Sequence, residues 1–439
     1  MKRFILSSVL LATGAFAASA QEGNIKFSEY DLPNGLHVIL HEDHTTPIVS
    51  VSVMYHVGSK NEDPKRTGFA HFFEHLMFEG TDNIQREEYA KLVQNNGGVL
   101  NANTSQDRTY YFEQLPSNQL ELGLWLESER MLHAKIDSVG IETQRKVVKE
   151  EKKQSYDNDP YGMWMPLIFE NAFTKHPYSW TPIGKEQYID QAKYDEFMDF
   201  YKTFYVPDNA ALVIAGDFKP EQAKEWIVKY FGDIPKSTKA IPRPTLAEPE
   251  QTKEKRVKYN AQVQLAMVVL AYHSPKPETD DYYALAMLNQ LLSQGASSRL
   301  QKQVVDKDQK AVNVGSFNFP LEDPGLVITL GIAAKDVSAS ELEKAMKAEI
   351  EKVKTKDIPE AEFQKLRNQA ENDFVSQNGR IAGIAETLAT NYTYFRNTNL
   401  INTELARYQK ITAADLKRVA NKYLTKDNSV VLHYVPKGM

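Results

Sequence analysis

Five consecutive residues, from His71 to His75, constrain the fold of this chain more than any other segment. They read His-Phe-Phe-Glu-His, so two imidazoles stand four positions apart and Glu74 directly precedes the second one. Four residues make about one helical turn, so both rings project from one face of a helix and can hold one cation. This H-x-x-E-H order is the reverse of the commoner zinc helix H-E-x-x-H, and it predicts a helix that binds zinc.

The surroundings of the motif weigh against a simpler interpretation, in which both histidines are ordinary hydrogen-bonded side chains of an amphipathic helix. The segment from about Lys65 to Glu79 is apolar nearly all round, which predicts a buried helix that stops at Gly80. Histidines and a glutamate on a buried helix need partners, because an unpaired buried charge is costly. A divalent cation supplies that partner, and Glu74 stands where it can take a proton from an attacking water. The pattern therefore favours a zinc-dependent peptidase.

The N-terminal segment has the three parts of a secretory signal peptide. Basic residues at positions 2 and 3 precede an apolar run, 4–17, and an A-S-A sequence that ends at Ala20. We therefore predict a signal peptide over 1–20, cleaved after Ala20. The apolar run is shorter than the ~20 residues that a membrane anchor needs. These features predict an exported protein without a membrane span, periplasmic in a bacterium.

Composition narrows the chemistry further. The chain has 439 residues and no cysteine, which removes thiolate zinc ligands and a cysteine nucleophile. The net charge of −6 argues against nucleic acid as a partner.

The length predicts more than one domain, because a single hydrophobic core rarely extends over so many residues. We place a catalytic zinc-binding domain at 21–236, an exposed proline-containing linker at 237–256 and a second domain at 257–439. The second domain repeats the predicted element order of the first. This indicates a duplicated α+β fold, in which each copy has a mixed or antiparallel sheet packed with helices. The alternative is a chance similarity between two α+β halves.

The two copies differ at the metal motif. Aligning the glycines that end the two equivalent helices, Gly80 and Gly295, places Ala286, Asn289 and Gln290 opposite the two histidines and the glutamate. None of these three residues is a usual zinc ligand, so the first copy alone is predicted to carry metal chemistry.

Three further elements matter for the positions of the candidate residues. We predict one long helix over Glu186–Tyr205, another over Ile141–Tyr156, and a strand over Ala261–Ala271 that opens the second domain. The helix from Ile141 carries two adjacent acids, Glu150 and Glu151. Either could be the third protein ligand that a tetrahedral zinc site with two histidines requires.

Longer strings of sequence resemble a known family, the inverzincin peptidases, which include pitrilysin, insulin-degrading enzyme and the mitochondrial processing peptidase. The resemblance covers essentially the whole chain after the predicted signal peptide. It rests on the strings at 71–81, 101–105 with 109–110, 145–151, 182–184, 205–209 and 215–217. The size is similar to that of the short two-domain branch, in which two chains pair like the halves of a clam shell and close a chamber.

The resemblance assigns roles to matching positions. It implies that His71 and His75 are zinc ligands, that Glu74 is the general base and that Glu151, rather than Glu150, is the third ligand. It also implies that Asn101-Ala102 lie on an edge strand that binds substrate backbone by strand addition.

Two positions depart from the family pattern. A second glutamate is usual seven residues before the third ligand; here the position is Gln144, whose carbonyl could still orient a histidine although the charge is lost. The family often has an Arg and a downstream Tyr that hold the substrate carbonyl. This chain keeps Arg299 but has Val312 at the Tyr position.

These observations predict a secreted zinc metallopeptidase with one Zn²⁺ per chain that hydrolyses short or unfolded peptides. A homologous subunit is expected to supply the Arg and Tyr, giving a heterodimer, while a homodimer is the other arrangement. The alternative function is a non-catalytic structural or substrate-delivering subunit, and the intact set of predicted ligands argues against it.

Overall fold

The computed structural model describes residues 24–438. The predicted signal peptide, 1–20, lies outside the described residues. Among residues 24–438, no helix is both long enough and apolar enough to cross a membrane.

The first half of the chain forms a six-stranded sheet with helices on both faces. Its strands follow the spatial order β1-β2-β6-β3-β5-β4, and β4 is at one edge. They are β1 (Ser28–Asp31), β2 (His37–Glu42), β3 (Ile48–Tyr55), β4 (Val99–Thr104), β5 (Thr109–Pro116) and β6 (Ala210–Gly216). The helices are α1 (Phe69–Leu76), α2 (Glu88–Asn95), α3 (Leu120–His133), α4 (Ser138–Lys152), α5 (Trp164–Ala172), α6 (Glu186–Gln191), α7 (Tyr194–Phe204) and α8 (Pro220–Phe231).

The second half forms a five-stranded sheet in the order β7-β11-β8-β10-β9. Its strands are β7 (Lys255–Ala261), β8 (Met267–His273), β9 (Ala311–Phe319), β10 (Leu326–Ala333) and β11 (Ser429–Pro436). Its helices are α9 (Asp280–Ser293), α10 (Ala339–Thr355), α11 (Glu360–Asn378), α12 (Ile381–Phe395), α13 (Leu400–Lys410) and α14 (Ala413–Tyr423).

Five strands of the first sheet have the same topology as the five strands of the second, which confirms the predicted pair of similar α+β halves. The shared part of each sheet starts with a parallel pair, β2 with β6 or β7 with β11, and β1 is an additional strand that pairs antiparallel with β2. Next, β6 pairs antiparallel with β3 in the first sheet, and β11 pairs antiparallel with β8 in the second. An antiparallel pair of strands then completes each sheet: β5 and β4 beside β3, and β10 and β9 beside β8. The metal motif lies on α1, and α9 occupies the same place in the second half.

Each half also contributes a helix that covers the sheet of the other half. Helix α12 packs its apolar residues against Val213 and Ala215 of β6, while Leu212 and Ile214 face the main core of the first half. In return, α5 packs against the outer face of the second sheet. Both faces of β6 are therefore covered, which explains why this strand is a continuous apolar run.

Several predicted elements differ from the observed ones. The single helix expected over Glu186–Tyr205 is two helices, α6 and α7, because the chain is extended at Ala192 and Lys193 before the second helix starts. The strand expected over Ala261–Ala271 is also wrong in its bounds. Strand β7 ends at Ala261, and β8 begins at Met267 after a turn.

Candidate metal centre

Helix α1 is held at its start by a buried acid. The helix begins after Gly68, whose φ of 103° is in the left-handed region that favours glycine. The amides of Gly68 and Ala70 donate to the two carboxylate oxygens of Glu62, at 3.0 and 2.8 Å. Burial raises the pKa of Glu62 to about 8. Two free amides of the first helical turn are satisfied in this way, so the turn that carries His71 is fixed.

The structure brings three predicted ligands together. His71 Nε2 lies 3.4 Å from Glu151 Oε1, and His75 Nε2 lies 3.1 Å from Glu151 Oε2. One donor atom from each of the three residues lies within 4.8 Å of the others. The two imidazole planes cross at 82°, with ring centroids 4.9 Å apart. Donors bound to one tetrahedral zinc are separated by ~3.3–3.6 Å, so this set of two nitrogens and a carboxylate fits the ion.

The electrostatics suit a cation. Hydrogen bonds from His71 and His75 hold the pKa of Glu151 well below its usual range, although burial opposes this shift. The carboxylate is therefore ionised, as a zinc ligand must be. The neighbouring Glu150 is exposed and lies 3.8 Å from the ammonium group of Lys153, away from the cluster.

Glu74 lies on the same helix and accepts a hydrogen bond from an adjacent strand. The Thr104 hydroxyl donates to Glu74 Oε2 at 2.6 Å. Thr104 is the last residue of β4, and the sequence pattern alone does not predict this contact. Its position in the string 101–105 was the available signal.

Gln144 lies near the cluster but contacts an acid instead of a histidine. Its Nε2 donates to Glu79 Oε1 at 2.5 Å, and Arg86 Nε forms an ion pair with the other Glu79 oxygen at 3.0 Å. Within residues 24–438, Gln144 Oε1 and His71 Nδ1 are buried without a hydrogen-bond partner. The role of Gln144 in orienting a histidine stays a prediction.

Asn101 and Ala102 lie in β4, at the edge of the first sheet. The strand pairs with β5 on one side, where Asn101 is opposite Phe112. Its other side has no partner strand within residues 24–438. Asn101 is exposed, and the Ala102 amide donates to its Oδ1 at 2.9 Å.

Arg299 is not brought to the metal centre in this chain. Its guanidinium forms two hydrogen bonds to Glu362, at 3.1 and 2.6 Å, within the second half. Val312, at the position where the family often has Tyr, is 55% exposed on the edge strand β9. The predicted substrate-binding role of Arg299 stays a prediction.

The metal cluster opens into a large cavity that both halves line. The cavity has a volume of about 940 Å³. His71, Glu151 and Thr104 contribute from the first half, while Glu386 and Tyr394 of α12 are among the lining residues from the second. Helix α12 therefore forms part of the cavity wall and also covers the first sheet.

Comparison with known proteins places these features in one family. A sequence profile described as Insulinase (Peptidase family M16) matches residues 37–183, and one described as Peptidase M16 inactive domain matches residues 191–370. The first match contains the metal cluster, and the second contains Ala286, Asn289 and Gln290, the residues aligned with the metal motif.

Whole-chain relatives agree with these matches. A Helicobacter pylori protein named Zinc protease PqqE is 33% identical over 99% of each chain. The crystal structure of a protease from Helicobacter pylori has a TM-score of 0.90 at 32% identity, covering 94% of this chain and all of that one. An Arabidopsis thaliana protein named Probable mitochondrial-processing peptidase subunit beta is 24% identical over 90% of this chain and 75% of its own length.

Proposed function

The chain belongs to the M16, or insulinase, peptidase family, and on that premise we propose that it is a zinc metallopeptidase which hydrolyses short or unfolded peptides. The observation that carries the proposal is the convergence of His71, His75 and Glu151 beside Glu74, where His71 and Glu151 line a large cavity. Relatives that match 99% and 69% of this chain are named zinc proteases, which supports the same conclusion.

The candidate residues have three different roles in the proposed reaction. His71, His75 and Glu151 hold one zinc, which when bound supplies Lewis-acid polarisation and makes an attacking water more acidic. Glu74 accepts the proton of that water and later returns it to the departing amine, so that one carboxylate acts as base and then as acid. The free side of β4, with Asn101 and Ala102, binds the substrate backbone as an added strand.

The cavity suggests the class of substrate. A volume of about 940 Å³ holds a peptide segment but not a folded domain. An extended peptide can add to the edge of β4 because backbone amides and carbonyls on both sides then pair. We therefore expect cleavage of flexible peptides, whereas folded proteins of similar sequence should resist.

The position of Arg299 supports a second subunit as the source of the missing groups. Its side chain is committed to Glu362, and Val312 has no hydroxyl with which to stabilise an oxyanion. Such a donor is typically worth ~10²–10³-fold in rate. We propose that a homologous chain supplies an Arg and a Tyr. The zinc-loaded chain alone should then cleave peptides poorly, and adding that subunit should raise kcat by this factor; full activity of a demonstrated monomer or homodimer contradicts the arrangement.

Export is part of the proposal, supported by the composition of residues 1–20. Expressed in a bacterium with its full sequence, the mature protein should begin at Gln21 and appear in the periplasmic fraction. Mass spectrometry of the N-terminal peptide tests this directly. A mature protein that retains Met1 in the cytoplasm contradicts it.

The alternative is a non-catalytic subunit, and the second profile match, described as an inactive domain, is the observation that favours it. That match covers 191–370, the end of the first half and part of the second, and it contains none of His71, Glu74, His75 and Glu151, so it does not describe the metal cluster.

Replacing Glu74 separates the two functions. Glu74→Gln should keep the fold and about one zinc per chain, but lower kcat by ~10²–10⁴-fold, because an amide cannot accept the proton. Zinc is measured by mass spectrometry of the metal and turnover with an internally quenched peptide. Glu150→Gln is the matched control and should change neither quantity, since that carboxylate faces solvent. A wild-type protein that holds zinc but cleaves no flexible peptide, with or without a homologous subunit, favours the non-catalytic function.

A further inference from the structure

A short hydrogen bond joins the predicted general base to the predicted substrate-binding strand. The Thr104 hydroxyl donates to Glu74 Oε2 at 2.6 Å, and Thr104 lines the same cavity as His71 and Glu151. From this geometry we propose that Thr104 is a positioning residue of the peptidase: it fixes the carboxylate of Glu74 so that its second oxygen faces the attacking water. The inference rests on the proposed function and deepens it.

The carboxylate needs such a constraint. The terminal torsion of a glutamate side chain is broad and roughly two-fold, so packing alone leaves the carboxylate plane free to turn. A hydrogen bond from a neutral hydroxyl to an ionised carboxylate is among the stronger bonds in proteins. With Oε2 committed to Thr104, Oε1 is left to accept the proton, and the geometry of transfer is set before substrate arrives.

Thr104 is itself held rigidly. It ends β4 and pairs with Thr109 of β5, whose hydroxyl donates to the carbonyl of Val57 at 2.9 Å. In the turn that follows, the Ser105 hydroxyl accepts hydrogen bonds from the amides of Asp107 and Arg108, both at 3.2 Å. A β-branched side chain at this position also has few rotamers, so the hydroxyl has a defined direction.

The second half of the chain braces this turn. Asp107 is fully buried and accepts from the amide of Glu322 at 2.9 Å, while Arg108 Nη2 lies 2.7 Å from Glu386 Oε1 on α12. Both partners lie beyond the linker in sequence. The half without metal ligands therefore contributes to the position of Thr104, and through it to the orientation of Glu74.

The substitution Thr104→Val tests the role because it keeps the shape and removes the hydroxyl. We expect kcat to fall ~10–100-fold, the range for losing a hydrogen bond to a charged group. KM should change by less than ~3-fold, since the backbone edge of β4 is intact. Thr104→Ser restores the hydroxyl and should recover most of kcat. Thr355→Val, at an exposed helix position of the second half, is the matched control and should behave as wild type.

A readout that does not depend on turnover completes the test. In crystal structures of the zinc-loaded proteins, Glu74 should have one carboxylate orientation in wild type and in Thr104→Ser, and should turn or become disordered in Thr104→Val. Unchanged kcat in Thr104→Val, or an unchanged Glu74 in its structure, overturns the role of Thr104 while the proposed function stands. A wild type that cleaves no peptide overturns the proposed function instead, and the crystal structures then still decide whether Thr104 orients Glu74.

Discussion

The two halves of the chain share a sheet topology, but they have different side chains at the equivalent pair of helices. In the first half, α1 and α4 bring His75 within 3.1 Å of Glu151. In the second half, α9 and α11 bring Gln290 Nε2 within 3.1 Å of Asp373 Oδ2. Gln290 is the residue that the sequence alignment places opposite His75. The pair of helices and the carboxylate are retained, and the imidazole has become an amide.

The residue aligned with the predicted general base, Glu74, is also an amide. Asn289, opposite Glu74, donates to Asn318 Oδ1 at 2.5 Å and accepts from the Ser316 hydroxyl at 2.6 Å. Its amide is thus satisfied within the protein, on the strand equivalent to β4. The second half therefore keeps the helix pair with amides at the positions of Glu74 and His75. The amide of Asn289 is satisfied within the protein and Gln290 donates to Asp373, whereas two imidazoles and an ionised carboxylate form a site that a dication completes.

Converting the first site toward the second should have the largest effect. His75→Gln introduces the residue of the second half and removes one of three zinc ligands. Peptidase activity should fall by more than the ~10–100-fold typical of outer-shell substitutions, and the zinc content should drop with it. Gln290→Ala, which changes the equivalent residue of the second half, is the control and should retain the metal. If the His75→Gln variant retains zinc and activity, His75 is not a zinc ligand.

A second contrast concerns how the halves are joined. Lys60 of the first half is buried and lies 2.6 Å from Glu322 and 3.1 Å from Asp323, both in the turn between β9 and β10. It also lies 2.7 Å from the buried Asp107. Burial alone would lower the pKa of Lys60, but these carboxylates raise it above its usual value.

Lys60→Met leaves those acids without their cation and should lower the free energy of unfolding by ~3–5 kcal/mol. Chemical denaturation followed by circular dichroism measures the change. The matched control is Lys239→Met. Lys239 forms an exposed ion pair with Asp199, so its loss should cost at most ~1 kcal/mol. Equal stabilities of the two variants would show that the buried network does not join the halves.

The same network predicts a pH dependence of stability. Although burial opposes it, hydrogen bonds from His56 and Lys60 lower the pKa of Glu322 to about 2. A hydrogen bond from His176 is the first cause that lowers the pKa of Asp323. A carboxylate whose pKa is depressed on folding stabilises the protein above its unfolded pKa of ~4.3, and that stabilisation disappears as the pH falls toward the folded pKa.

The free energy of unfolding should therefore fall by ~2–3 kcal/mol through Glu322 alone between about pH 5 and pH 2. Burial also lowers the pKa of His56, so its stabilising contribution weakens as the pH falls below ~6.5, in the same direction. Denaturation curves at several pH values test this, and Glu322→Gln should flatten the acid part of the profile. A stability that rises on acidification contradicts the assignment.

The metal cluster was predictable from sequence because its information is local. The spacing of His71 and His75 follows from one helical turn, and the resemblance selected Glu151 over its neighbour. The fold class was also predictable, because each strand and helix has a local hydrophobic pattern and the same order of elements occurs in both halves. The break between α6 and α7 could not be read in this way, since extended backbone at Ala192 and Lys193 interrupts a continuous helical pattern of side chains.

Contacts between elements that are distant in sequence could not be predicted from the sequence either. The sequence of α12 does not indicate that this helix covers the first sheet. An apolar helix face predicts burial but does not specify which sheet it packs against. Glu62 and Thr104 are similar cases: each acts on α1 from a loop or strand that folding brings beside it. Such contacts depend on tertiary structure, so spacing rules do not find them.

The smallest effect is expected from the reverse conversion, because it adds a site without touching the first. Ala286→His with Gln290→His recreates two imidazoles four residues apart on α9, beside Asp373. The double variant should bind a second zinc per chain, more weakly than the first, since Asp373 is exposed and its carboxylate is less constrained than that of Glu151. Titration calorimetry and metal analysis measure the stoichiometry, and peptidase activity should not rise, because Asn289 cannot accept a proton. Ala286→His alone is the control and should bind one zinc. A double variant that still binds one zinc would show that the two helix pairs differ in more than their side chains.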